Sequence, residues 1–152
     1  MNYPAVLIIS YFGILAGCII SSYAKEELAS GKRYFEIARA SAFSAVIYLF
    51  LSYLKLSSLA AIPLTLVVFA VSYLWAARYG YFDHLAYSLF PLVLYETQDY
   101  SPHIPIIIFF FGIAAASSAY NPKRKGIWNA LSLSAKNSLY LIIGIGVYLF
   151  RL

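Results

Sequence analysis

Apolar runs of about membrane-spanning length alternate along this chain with short polar stretches, and that alternation predicts helices. The runs cover about Ala5 to Tyr23, Tyr34 to Tyr53, Leu59 to Ala77, Phe82 to Tyr95 and Ile104 to Tyr120. A last run from about Trp128 to Phe150 enters hydrocarbon near residue 130. A bilayer tolerates neither clustered charge nor unpaired backbone, so the polar stretches read as wet connections. Residues 25–39 are the clearest case, holding seven of the chain's seventeen charged side chains (eleven Lys or Arg, six Asp or Glu). The expected fold class is all-α: a polytopic integral membrane protein, one transmembrane domain over residues 1–152, forming a six-transmembrane-helix bundle with both termini outside.

The runs differ in texture. Gly13 and Gly17 in the first, Ala40 and Ser44 in the second, and Gly112 and Ala116 in the fifth put small residues four apart on one helix face, where another helix can approach closely. Tyr3 and Tyr23 sit at the two ends of the first run like interfacial aromatics. Leu54 to Ser58 leaves room only for a tight turn, so the second and third helices are expected as an antiparallel hairpin. The fourth run is the weakest, and Pro91 inside it predicts a kink or a broken helix there. In the last run Trp128, Leu131 and Ala135 face away from Asn129, Ser132 and Lys136, a pattern that suits a helix lying along the interface before it descends.

Composition narrows the class. The chain is 62% hydrophobic and 11% charged, against about 25% charged in soluble domains. Its net charge of +5 does not point to nucleic acid, because the basic residues collect in loops beside the apolar runs rather than along a groove. With the end of the first helix in the cytoplasm, Lys25, Lys32, Arg33, Arg39, Arg78, Lys123, Arg124, Lys125 and Lys136 fall on or near that side. Only Lys55 and Arg151 fall outside. The reading is therefore a multi-pass protein of the cell (plasma) membrane with cytoplasmic basic loops. Its expected partners are the lipid bilayer and, through the small-residue faces, a second copy of the chain or another membrane protein. Leu15-Ala-Gly-Cys18 matches a lipoprotein cleavage box, but no Lys or Arg precedes it, and cleavage would put the 25–33 charges on the outer face. Cys18 is the single cysteine, which excludes an intrachain disulfide.

Ionisable groups within reach of hydrocarbon are the candidates for chemistry. Asp83 and His84 open the fourth run, Glu36 and Arg39 the second, and Lys136 lies early in the sixth, all near the cytoplasmic side. Brought together, they would border a polar cavity. The competing reading pairs Glu36 with Arg39 three residues apart and lets Lys136 snorkel to the headgroups. A weaker candidate is an outer cation site at Glu96, Asp99 and His103, whose residue types equally suit an ordinary solvated loop. Tyr11, Tyr48, Tyr73 and Tyr87 lie deeper and need partners for their hydroxyls, either in a cavity or across helix contacts. No Gly-x-Gly-Asp, Gly-x-Ser, His-Glu-x-x-His or phosphate-cradling glycine loop occurs. No catalytic residue, resident metal or cofactor is assigned.

The segment Glu26-Glu-Leu-Ala-Ser-Gly-Lys-Arg-Tyr-Phe35, following a small-residue first helix, resembles a loop of small archaeal multi-pass membrane proteins of unassigned function. That resemblance implies a lineage and a fold type and carries no activity. Two functions remain open. One is a membrane-embedded binding or assembly subunit that does no chemistry; the other is a small transporter or channel-like protein with its cavity at Asp83, His84 and Lys136. An intramembrane enzyme ranks third, since no complete constellation can be written. Water reaching Asp83 and His84 from one face would favour transport, and dry packing would favour the subunit.

Overall fold

The computed structural model describes residues 2–24, 26–79, 82–97, 99–121 and 126–150. Among them are seven α-helices and no strand: α1 (Tyr3–Tyr23), α2 (Leu28–Tyr53), α3 (Ser58–Tyr79), α4 (Phe82–Thr97), α5 (His103–Ala119), α6 (Gly126–Lys136) and α7 (Leu139–Phe150). Three of these, Tyr3–Tyr23, Ser30–Tyr53 and Ser58–Trp75, are long and apolar enough to cross a membrane. A fourth crossing is available if α6 and α7, bent by 44° at a short break, count as one. Helices α4 and α5 have 16 and 17 residues. At about 1.5 Å per residue they fall short of a ~30 Å hydrocarbon core, so six spans do not follow from helix length and composition.

Two boundaries differ from the sequence reading. The charged stretch is not mainly a loop. Helix α2 begins at Leu28, and the Glu27 carbonyl accepts from the Gly31 amide (2.8 Å) and from the Ser30 hydroxyl (3.0 Å). Glu, Lys, Arg, Ala and Leu are good helix formers, so the charges ride on the first turns of a helix that continues into the apolar run. Helix α4 runs unbroken through Pro91, and the break falls at Asn137 and Ser138 instead. Asn and Ser side chains compete for nearby backbone groups and so suit a helix end. Lys25, the Lys123 to Lys125 run, Gly80, Tyr81 and Arg151 lie outside the described residues.

The helices are ordered by one close contact. Ser10 reaches the Pro105 carbonyl (3.3 Å), and Ser21 bonds Ser117 (3.0 Å). Between these pairs, Gly13 lies on the Phe109 backbone and Gly17 on that of Ile113. Both partners advance in step, so α1 and α5 run parallel. Helices α2, α4, α6 and α7 oppose them. Tyr3 donates to the Pro91 carbonyl (3.1 Å) and Tyr87 to that of Ser10 (3.1 Å), making α4 antiparallel to α1. Arg39 bonds Ser118, and Phe43 packs on Phe111, making α2 antiparallel to α5. Tyr148 lies beside Tyr3, Gly144 beside Leu7 and Tyr140 beside Tyr11, while Tyr11 also bonds the Ser134 carbonyl. Helices α6 and α7 thus follow α1 along its length, and α6 packs on the bundle with Trp128, Leu131 and Ala135 outward and Asn129 buried.

Helix α2 ends at Tyr53 and Lys55 follows in a left-handed conformation (φ 59°), with the Leu56 amide on the Leu51 carbonyl and the Lys55 amide on that of Ser52. This closure reverses the chain into α3. At the other end Asn129 clamps Asn121, donating to its carbonyl (2.7 Å) and accepting from its amide (3.3 Å).

The distribution of side chains fits a protein immersed in a bilayer. Ser10, Ser21, Ser44, Thr97, Ser117, Asn129 and Arg39 are buried, while Ile9, Phe12, Leu59, Leu66, Leu74, Phe110 and Ile142 are exposed. Exposed apolar faces running along several helices exceed what a soluble monomer presents. Small and hydroxylated side chains inside are what close helix packing in lipid requires. Tyr3 departs from its expected interfacial position: it is buried between Tyr95 and Tyr148, whereas Tyr23 stands free.

The α1–α5 contact yields a test. A Cβ at Gly13 would strike the Phe109 carbonyl oxygen, and one at Gly17 would come within 2.5 Å of that of Ile113, whereas at Gly146 nothing lies within 4 Å. Gly13→Ala and Gly17→Ala are expected to destabilise the protein by about 1–3 kcal/mol each. Gly146→Ala should stay within about 0.5 kcal/mol. Denaturant unfolding in detergent micelles measures the difference.

Candidate functional site

The broken helix sets up the site. A helix that stops inside a bundle frees carbonyls from their i+4 amides, and in lipid these need other donors. Here Leu133 keeps its own i+4 amide, and the Ser134 and Ala135 carbonyls take other donors. The Asn137 amide reaches both the Leu133 and Ser134 carbonyls (3.1 Å each), and the Ser138 amide reaches that of Ala135 (3.3 Å). The Asn137 side chain donates through Nδ2 to Leu133 (2.8 Å), and Tyr11 donates across from α1 to Ser134 (2.8 Å). The break is thereby held by its own asparagine and by a neighbouring helix.

Beside the break lies a cavity of about 120 Å³, lined by Ile14 of α1, His84 and Tyr87 of α4, Ala115, Ala116 and Ala119 of α5, and Leu133, Lys136 and Asn137 at the end of α6. At ~30 Å³ per water it has room for roughly four waters or one small solute. Of its polar lining, His84 is half-buried and Lys136 exposed, and Ala119, the last residue of α5, is exposed as well. Toward the other end it is closed by Tyr87, Phe90, Phe111 and Tyr140, each at most 1% exposed. Their rings pack with centroids 4.8 Å apart for Tyr87 and Tyr140 and 5.0 Å for Phe90 and Phe111.

Hydrogen bonds fix the tautomer of His84. Its Nδ1 lies 3.0 Å from the Asn137 side-chain oxygen. Because the Asn137 Nδ2 donates to Leu133, that oxygen is an acceptor, and Nδ1 must carry the hydrogen. The ring borders the cavity, and Nε2 is the nitrogen that Asn137 does not engage. Lys136, in the last turn of α6, sits where the helix dipole favours a cation.

Of the residues expected to border a polar cavity, the fold brings together His84 and Lys136. The Asp83 side chain lies outside the described residues. Arg39 is buried on the α2 side of α5, where its Nη1 meets Ser118 Oγ at 3.2 Å, and neither Arg39 nor the half-buried Glu36 lines the cavity. The single polar layer expected from sequence is therefore divided by α5, because Ser118 and Ala119 project from different sides of that helix. Tyr11 and Tyr87 use their hydroxyls in bonds between helices.

Sequence reasoning missed Asn137, whose signal was the Asn-Ser pair interrupting an apolar run. The small-residue pairs are all used within the chain: Gly13 and Gly17 against α5, Gly112 against Ile14 and Gly13, and Ala116 against Gly17. Ala40 and Ser44 are buried on α2, with the Ser44 hydroxyl on the Ala40 carbonyl (2.8 Å). At the opposite end Glu96, Asp99 and His103 are exposed around the α4–α5 connection. Among the described residues no group of three His, Cys, Asp or Glu side chains lies close enough to hold a metal ion.

No family model, curated protein or solved structure matches this chain.

Removing the hydroxyl that covers the break should weaken the bundle without emptying the cavity of its charge. Tyr11→Phe leaves Ser134 without its donor from α1 and is expected to cost about 0.5–1.5 kcal/mol, measured by unfolding in micelles against a Tyr23→Phe control at the exposed end of the same helix.

Proposed function

We propose that this protein is a small solute-handling membrane protein, transporter-like or channel-like, that admits a small polar solute from its basic face into the cavity at His84, Lys136 and Asn137. The observation that carries this reading is the coincidence of a helix break with a polar cavity. Irregular backbone at membrane depth is tolerated where it is buried in protein or lines a wet space, and half-helix ends are what secondary transporters use to meet solutes. The aromatic layer of Tyr87, Phe90, Phe111 and Tyr140 would act as the barrier toward the opposite face.

The finer topology belongs to the same proposal. Six segments alternate in direction, with α6 and α7 as one bent segment, and this supports six crossings with both termini outside and the basic loops cytoplasmic, in the plasma membrane. Helices α4 and α5 would cross where packing against α1 and α2 shelters their ends or the bilayer thins. The resemblance of Glu26–Phe35 to small archaeal membrane proteins is retained here as a lineage without an activity.

An assembly subunit is the second reading, and the bareness of α3 favours it: Leu59, Leu66 and Leu74 are all exposed. The solute reading is better supported, because the small-residue pairs that would have served assembly are already used inside one chain.

Thiol accessibility decides between them. Ala115 lines the cavity, and the native Cys18 is buried. In an Ala115→Cys variant, a membrane-impermeant maleimide is expected to label the new thiol in inside-out vesicles, where the basic face is outermost, and to spare it in right-side-out vesicles. Labelling from neither side would mean a dry core and would overturn the solute reading, as would labelling from the opposite face alone.

A further inference from the structure

Resting on the reading of the cavity as a solute site, we infer that its ligand is a small oxyanion carrying its own O–H donor, of the hydrogen-phosphate type, held between Nζ of Lys136 and Nε2 of His84. Three observations lead there. The lining supplies a lysine ammonium and, among its described residues, no carboxylate, so a negative charge is favoured. The Leu133–Asn137–His84 chain of hydrogen bonds assigns a hydrogen to Nδ1, so a ring that carries one hydrogen offers Nε2 as an acceptor. An anion without a hydrogen would meet that lone pair unfavourably, whereas an anion with one O–H donates it to Nε2 and offers its charged oxygens to Lys136. The remaining walls, Ile14, Leu133 and three alanines, leave about 120 Å³, which limits the ligand to a few heavy atoms.

The arrangement separates anions of equal size. Sulfate has the shape and charge of phosphate and no O–H at neutral pH. The phosphodiester of a lipid headgroup also lacks the O–H, so dimethyl phosphate stands for that source. The test is protection of the Ala115→Cys thiol from maleimide, at constant ionic strength, by inorganic phosphate, sulfate or dimethyl phosphate. Phosphate is expected to slow labelling, and the other two to leave it unchanged. Lys136→Gln should lower the apparent phosphate affinity about tenfold or more, through loss of one charge-assisted contact, while labelling without ligand persists.

Equal protection by sulfate overturns the donor requirement, and protection by dimethyl phosphate alone assigns the site to lipid headgroups and overturns the inference. A thiol that labels freely but ignores phosphate also sinks it and leaves the solute reading standing. A thiol that never labels sinks both. Should the cysteine variant fail to fold, the wild-type protein's thermal midpoint in phosphate against sulfate gives the same comparison, since both salts strengthen apolar burial alike. A rise specific to phosphate is expected, and equal rises overturn the inference.

Discussion

Where Gly13 and Gly17 of α1 rest on the backbone of Phe109 and Ile113, two parallel helices approach so closely that a Cβ at either glycine would strike the facing backbone. In lipid the apolar side chains gain little by leaving one hydrocarbon surrounding for another, so association depends on close van der Waals packing and on bonds between helices. Small residues on both sides supply the first. Ser21 with Ser117, and Ser10 with the Pro105 carbonyl, supply the second. Once α1 and α5 are paired, α2 packs on the far side of α5 through Phe43 and Arg39. Helices α4, α6 and α7 pack on α1 through Tyr3, Tyr11 and Leu7. Helix α3 is left outside, attached by its hairpin to α2, and shows mostly apolar side chains outward.

That arrangement also locates the cavity. Ala115, Ala116 and Ala119 keep α5 thin on the side facing α4 and α6, and at that level α6 stops. A continuous helix through residues 137 and 138 would have satisfied its own carbonyls. The break gives that up: the Ser134 carbonyl takes the Tyr11 hydroxyl and the Asn137 amide, and the Asn137 side chain adds a second donor at Leu133. The same asparagine then orients His84. Backbone satisfaction and the placing of a titratable side chain are therefore one network, and a change at Asn137 would be felt by both. Beyond the alanines, bulky rings take their place, and Tyr87, Phe90, Phe111 and Tyr140 are buried against one another.

Much of this was legible in one dimension. The apolar runs, their helical character, the tight α2–α3 reversal and the small faces at Gly13, Gly17 and Gly112 follow from residue type and spacing, because hydrocarbon permits few alternatives for a backbone. His84 and Lys136 stood out for the same reason: an ionisable group beside an apolar run is costly and rare. The extension of α2 back through Gly31 to Leu28 was misread because charge marks where water begins and says nothing of where a helix ends. The break was assigned to Pro91 because proline is the strongest local signal, although its missing amide donor is absorbed within α4.

By itself the amino-acid sequence determined the helices, their apolar character and the short list of charged candidates, since those depend on composition and on near neighbours along the chain. The partners were decided only by the tertiary structure. Which faces of α1 and α5 meet, that Arg39 falls on one side of α5 and His84 with Lys136 on the other, and that Asn137 of one helix holds a histidine of another all depend on residues 50 to 100 positions apart. No local pattern encodes those distances; they are set by which small surfaces can come closest once all the helices compete for them.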